Sequence, residues 1–189
     1  MSGTENRHVP WDPRSVCNLI LDEADRQKRS ISNLALQKLL YFAHGAFLVG
    51  TGGDPLVTGY FEAWQHGPVH PAAYLAFKVA GRKDITFRAT RRDLAARVNL
   101  PIENPSDPRV VDHIRRIVSG YAGMSSTQLV NISHAKNGPW WFVADKARTG
   151  VAFGMRIQDN VILERFKHHK IPLGAQSETG GPREDRPFT

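Results

Sequence analysis

The sequence predicts a mainly α protein: a single compact helical domain around a central buried helix at 34–49. A small β element is expected near 56–64, with a further extended candidate at 151–157. Three observations carry this reading. Leu34–Val49, LALQKLLYFAHGAFLV, places Leu36, Leu39, Leu40, Phe42, Ala43, Ala46, Phe47 and Val49 over roughly half of a helical wheel. Gln37, Lys38 and His44 take much of the rest, with Tyr41 and Leu48 between them, so this helix needs neighbours on several sides. Asp-Pro pairs at 12–13 and 107–108 each supply an N-cap followed by a preset first helical residue. At 189 residues, 41% hydrophobic and 23% charged, the chain is large enough for one domain, which would bury about 70% of its unfolded surface.

Taken in order, residues 1–11 are a polar, flexible lead-in. Asp12 and Pro13 open a helix to about Gln27, with Val16, Cys17, Ile20 and Ala24 on one arc; Cys17 reads as a core residue. Ser32 caps the central helix and Gly50 stops it, giving a rod of roughly 24 Å. The glycine-rich GTGGDP loop at 50–55 lacks a Walker lysine and a dinucleotide-binding spacing, so it is a turn. Leu56–Trp64 is β-branched and aromatic enough for a short strand. Gly67-Pro68 reads as a chain break before a helix over Pro71–Ala80 that stops at Gly81. A basic stretch follows, with a short helix expected over Thr90–Val98 and a proline-punctuated loop at 101–108.

The helix opened by Asp107-Pro108 runs to about Tyr121, with Val110, Val111, Ile114, Ile117, Val118 and Tyr121 on one arc. Asp112 can pair with Arg115 and Arg116 on the opposite side. Ser125 and Gln128 fit a capping box for a helix to about Ala135. Pro139 begins another turn carrying Trp140, Trp141 and Phe142, and Asp159 opens a last helix over Asn160–His169. From Pro172 the chain is rich in Gly, Pro and charge. Residues 12–170 are therefore read as the domain and 171–189 as a disordered tail.

No signal peptide precedes the domain and no apolar run reaches membrane-spanning length. With one cysteine there is no internal disulfide and no CxxC pair, which points to the cytoplasm. A net charge of +7 admits an acidic partner without choosing one. His66 and His70 are separated by Gly67-Pro68 and lack an acidic third ligand, so no metal site is expected. No GxSxG occurs; no catalytic residues and no cofactor are assigned. Gln37, Lys38, Tyr41 and His44 form a strip that reads as an ordinary half-exposed face, with a pocket as the alternative. The Arg82–Arg97 cluster keeps nucleic acid open as a partner, but aromatics are not interleaved with it and no helix-turn-helix is evident.

Neighbouring helical residues point about 100° apart, so Trp140 and Trp141 cannot easily both face inward; at least one is a candidate anchor for a protein partner. Arg91, Arg92, Arg115 and Arg116 are candidate basic contacts. Leu36, Leu39, Leu40, Phe42, Phe47, Trp64, Gly67 and Pro68 are assigned to the structural core.

The run LQKLLYFAHGAFL, the glycine loop with Pro55-Leu56, FEAWQHGPVHPAAY, LVNISHAKNGPWW and IQDNVILERF together resemble the Panacea-domain antitoxin family, in its SocA-like and GepA-like members. The resemblance spans about Asp12 to Lys170 and lies nearest the SocA-like branch. It implies a helical domain with a small β element and an antitoxin that neutralises a co-encoded bacterial toxin by direct contact. For the SocA-like branch it implies a proteolytic adaptor that delivers the toxin to the ClpXP protease. Steric neutralisation without proteolysis and a nucleic-acid-binding autoregulator are the alternatives. The C-terminal tail is a candidate tether for the protease, weighed against a tail with no role.

Overall fold

The three-dimensional structure is a computed structural model that describes residues 9–149 and 155–169. The sequence-based readings of residues 1–8, 151–154 and 170–189 fall outside the described residues. Seven α-helices are described: α1 (Pro13–Arg26), α2 (Asn33–Thr51), α3 (Pro71–Phe77), α4 (Pro108–Tyr121), α5 (Ser126–Ser133), α6 (Pro139–Thr149) and α7 (Asp159–Arg165). The described strands are short: β1 (Phe61–Trp64), β2 (Gly67–Val69), β3 (Thr90–Asp93), β4 (Val98–Pro101) and β5 (Arg156–Ile157). The mainly α class holds.

The caps are those the sequence specifies. Asp12 accepts the Arg14 N–H at 2.8 Å, and Asp107 accepts the Arg109 N–H at 2.9 Å. Ser125 and Gln128 close a reciprocal capping box, at 3.2 and 2.8 Å. Ser32 caps α2, which runs past Gly50 and ends at Gly52, where the left-handed backbone (φ +76°) suits glycine. Trp11, placed in the lead-in by sequence, is pinned by two backbone hydrogen bonds. Its N–H donates to Leu56 and its carbonyl accepts from Thr58, at 2.9 and 2.8 Å.

Helix α2 is central: α1, α3, α4, α5, α7 and β2 all pack on it. Leu36, Leu39, Leu40, Phe42 and Ala43 are fully buried, and so are Tyr41 and Leu48. The expected half-exposed polar strip does not exist. Gln37, Lys38, Tyr41 and His44 are all at most 2% exposed, because β2 and the α7 segment cover that side. The apolar prediction fails instead at the C-terminal end. Val49 is 50% exposed and Phe47 only half-buried, since the last turn of α2 outruns the elements packed around it.

Strands β2, β1 and β5 form an antiparallel sheet in that order, with Trp64 opposite Gly67 and Phe61 opposite Ile157. The β element thus starts at Phe61 rather than Leu56, and Gly67-Pro68 is a strand rather than a break. A two-residue turn at Gln65-His66 folds β2 back on β1, and Gly67 (φ +103°) makes the reversal possible. Proline is tolerated because β2 is an edge strand. Of the second extended candidate, the described part contains β5.

The helix expected over Thr90–Val98 is a β-hairpin, β3 pairing with β4. The Asp93 carboxylate accepts the N–H groups of Ala95 and Ala96 at 2.9 and 3.0 Å, and Arg97 turns left-handed at φ +56°, which ends the turn. The helix propensity of Leu-Ala-Ala is overridden by this turn and by cross-strand pairing. Upstream, Arg88 is an ion-pair partner of Asp22 and Asp25 on α1, and the Asn18 amide bonds both the N–H and the carbonyl of Ala89. Part of the basic stretch is therefore fastened to α1.

Candidate interaction surfaces

Two neighbouring regions of α2 treat polar residues in opposite ways. Over its first three turns each polar side chain ties down a different segment. Gln37 donates to Asn33 (3.2 Å) and accepts the His70 backbone N–H (3.1 Å). The Lys38 ammonium donates to the Pro68 carbonyl at 3.0 Å, which locks the β1–β2 hairpin onto the helix. Tyr41 bonds His169 Nε2 at 3.4 Å. His44 Nδ1 accepts the Val57 N–H (3.4 Å), so its Nε2–H donates to Asp159 at 2.9 Å. Buried polar groups are stable only when satisfied, and here satisfying them fixes where the hairpin and the C-terminal segment sit.

Gly67 lies where this network is tightest. A Cβ there would overlap the Ser133 hydroxyl and stand 3.1 Å from the Lys38 ammonium. Next to it His134 stacks on Trp140 with ring centres 3.6 Å apart, and Trp140 Nε1 donates to the Trp64 carbonyl at 2.8 Å. Burial, aided by the charges of Lys38 and His66, pushes the His134 pKa down to about 4. Burial likewise lowers the His70 pKa and raises those of the Cys17 thiol and the Tyr41 phenol. The pocket once open as an alternative around Lys38, Tyr41 and His44 is filled by protein. Among the described residues no cluster of three or more His, Cys, Asp or Glu side chains is arranged to hold a metal ion. No helix among them is long and apolar enough to cross a membrane.

The last turn of α2 is different. With α4 it walls an open groove of about 240 Å³. Ala46, Phe47, Gly50 and Thr51 come from α2, Asp54 from the loop that follows, and Arg109, His113 and Arg116 from α4. The three α4 residues sit at i, i+4 and i+7, one stripe of the helix, while Val110, Ile114 and Ile117 face the core. The Phe47 ring meets His113 edge-on, centres 5.4 Å apart. His113 donates through Nε2 to the Ala43 carbonyl at 2.8 Å; burial first, then the nearby Arg116, keeps its pKa below the ordinary value. The formal charges of the groove are Arg109, Arg116 and Asp54, and Arg109 is held at two points by the Asp107 carboxylate, at 3.3 and 2.8 Å.

The six partner-contact residues chosen from sequence are scattered. Arg91 and Arg92 lie on the exposed β3–β4 hairpin. Arg115 pairs with Asp112 at 2.6 Å and lies 4.0 Å from Glu23. Trp140 is built into the fold, and Trp141 beside it is half-buried. Arg116 alone enters the groove. Arg109, His113 and Phe47 were not among the six, although the i, i+4, i+7 basic stripe opposite the apolar arc of α4 was a readable signal. Of the assigned core, Leu36, Leu39, Leu40, Phe42, Trp64, Gly67 and Pro68 are buried and Phe47 is the exception.

The chain belongs to the family of SocA-like antitoxins built on the Panacea domain. The family model described as "Antitoxin SocA-like, Panacea domain" matches residues 36–141, a span that holds both helical walls of the groove. Among individual proteins, the chain is similar to Antitoxin SocA of Caulobacter vibrioides (strain NA1000 / CB15N). The two are 44% identical over 176 residues, which cover 93% of each. No solved structure matches the chain.

Proposed function

We propose that this protein is the antitoxin of a toxin–antitoxin pair: it binds its cognate toxin directly and delivers it, as an adaptor, to the ClpXP protease. The observation that carries this reading is the 44% identity to Antitoxin SocA across 93% of both chains. The adaptor step follows the SocA-like resemblance of the central-helix and FEAWQHGPV motifs. A fold whose buried polar residues are consumed in tying segments together, with open surfaces left outside, suits a binding module that acts in the cytoplasm.

The test is co-expression with the neighbouring reading frame, capture on a tag, and a chase of the partner's lifetime with and without active ClpXP. The expected result is a partner that is toxic alone, is captured, and disappears faster when this protein and the protease are both present. A captured partner of unchanged lifetime replaces delivery with steric neutralisation. Absence of any captured partner overturns the antitoxin reading.

A further inference from the structure

The β3–β4 hairpin is a two-stranded ribbon whose strands pack chiefly on each other. Its root is fastened at both ends. Arg88, just before β3, and Asn104, just after β4, bond the same Asp22 carboxylate on α1, at 2.7 and 2.5 Å. Beyond that root every residue from 94 to 99 is exposed. Residues 90–101 hold three guanidinium groups, Arg91, Arg92 and Arg97, against the one carboxylate of Asp93. That carboxylate is turned onto its own loop, where it accepts the Ala95 and Ala96 N–H groups. Arg14, Arg88, Arg109 and Arg115 each hold a carboxylate, whereas Arg91, Arg92 and Arg97 have no carboxylate partner among the described residues. Side chains alternate along a strand, so Arg91 and Arg92 leave opposite faces of the ribbon, and Arg97 lies in the turn that ends it.

A ribbon that is cationic on both faces and at its tip does not match a flat acidic surface, which meets one face only. It matches a cleft with two anionic walls. The major groove of B-form DNA is such a cleft, about 12 Å wide and bounded by phosphates on both sides, and it admits a two-stranded ribbon. Strands of four residues reach about 14 Å, against a groove depth of about 8.5 Å. The guanidinium fork suits phosphate oxygens. No aromatic side chain lies within 90–101, so a stacking platform for single strands is absent from the ribbon. We infer that the β3–β4 ribbon is an arm that enters the major groove of duplex DNA and sets Arg91, Arg92 and Arg97 on the phosphates of its two walls. Leu94, 83% exposed in the turn, is then the apolar tip that faces the base edges. This DNA-binding activity is separate from toxin binding and does not depend on it.

The experiment measures binding of the full chain to a short labelled DNA duplex of arbitrary sequence by fluorescence anisotropy, between about 50 and 200 mM salt. Three forms are compared: wild type, Arg91→Glu with Arg92→Glu on the arm, and Arg109→Glu with Arg116→Glu on α4, which changes the net charge by the same amount. Thermal melting confirms that each form is folded. The arm variant is expected to lose about tenfold or more in affinity, and its plot of log K against log salt to flatten by about 2, because each lost phosphate contact removes about 0.9 from the slope. The α4 variant is expected to stay within about threefold of wild type with its slope unchanged. An equal loss in both variants overturns the inference, since net charge rather than the arm would then govern binding. Absence of duplex binding by the wild type at the lowest salt also overturns it. The same forms are tested for capture of the toxin and for binding to vesicles containing phosphatidylserine. Arm-dependent binding to either, without duplex binding, overturns the inference and assigns the arm to that partner.

Discussion

Over the first three turns of α2, Gln37, Lys38, Tyr41 and His44 are as buried as the leucines beside them, and each holds a separate segment in place. One turn later Val49, which a helical wheel assigns to the core, is half exposed and Phe47 is only partly covered, and Arg109 and Arg116 line the space beside them. The inversion teaches that polarity does not by itself mark the working surface of this fold. Buried polar groups specify how the segments assemble. Incompletely covered apolar groups mark where the neighbouring elements stop.

That contrast can be broken from the inside first. Leu40, fully buried in the middle of α2, is expected to cost about 2–5 kcal/mol when changed to Ala, measured by urea unfolding. A variant as stable as wild type would remove α2 from its central role. Gly67→Ala is expected to cost about 1–3 kcal/mol, because the new Cβ overlaps Ser133 and the residue must hold φ +103°. A neutral result would mean that the junction of Lys38, Gly67 and Ser133 is slack.

A smaller effect is expected from pH. The pKa of His134 is lowered on folding, from an ordinary value of 6.5 to about 4. The unfolded chain therefore takes up the proton first. Stability is full above about pH 6.5 and falls as pH drops toward about 4, with His70, His113 and His169 shifted in the same direction. His134→Phe keeps a ring against Trp140 and is expected to flatten that slope in melting curves taken between pH 7 and 4. An unchanged slope would assign the acid sensitivity to the other three histidines and to the carboxylates of Asp12 and Glu23, whose pKa values are also lowered by their partners. The smallest stability change belongs to the open side. Arg109→Glu with Arg116→Glu is expected to leave the melting curve close to that of wild type, because both side chains are exposed. A loss comparable to that of Gly67→Ala would place these arginines with the structural residues.

How much of this was legible in sequence follows from how local each signal is. The Asp12, Ser32, Asp107 and Ser125 caps were all readable, because a cap is decided by a side chain and a backbone N–H two or three residues away. The amphipathic arc of α4 was readable for the same reason. The 90–101 hairpin was not, because its strands gain their stability from each other and Leu-Ala-Ala prefers helix when taken alone. Of the groove residues, sequence points to Arg116 alone as a contact and places Phe47 in the core, because periodicity gives a direction but not how far the neighbouring elements extend.

By itself, then, the sequence determined the helix-rich class, the position of α2, the ends of α1 and α4, and the family through the motifs that α2 and the β1–β2 hairpin carry. Each of these depends on residues close together along the chain. Tertiary structure alone decided that the polar strip of α2 is buried and that Val49 in its last turn is not. Those outcomes depend on β2 and the α7 segment closing over one side of the helix, while the described elements cover the C-terminal end only in part, leaving Val49 half exposed. Burial is settled by what arrives from distant parts of the chain, and a helical wheel contains no information about that.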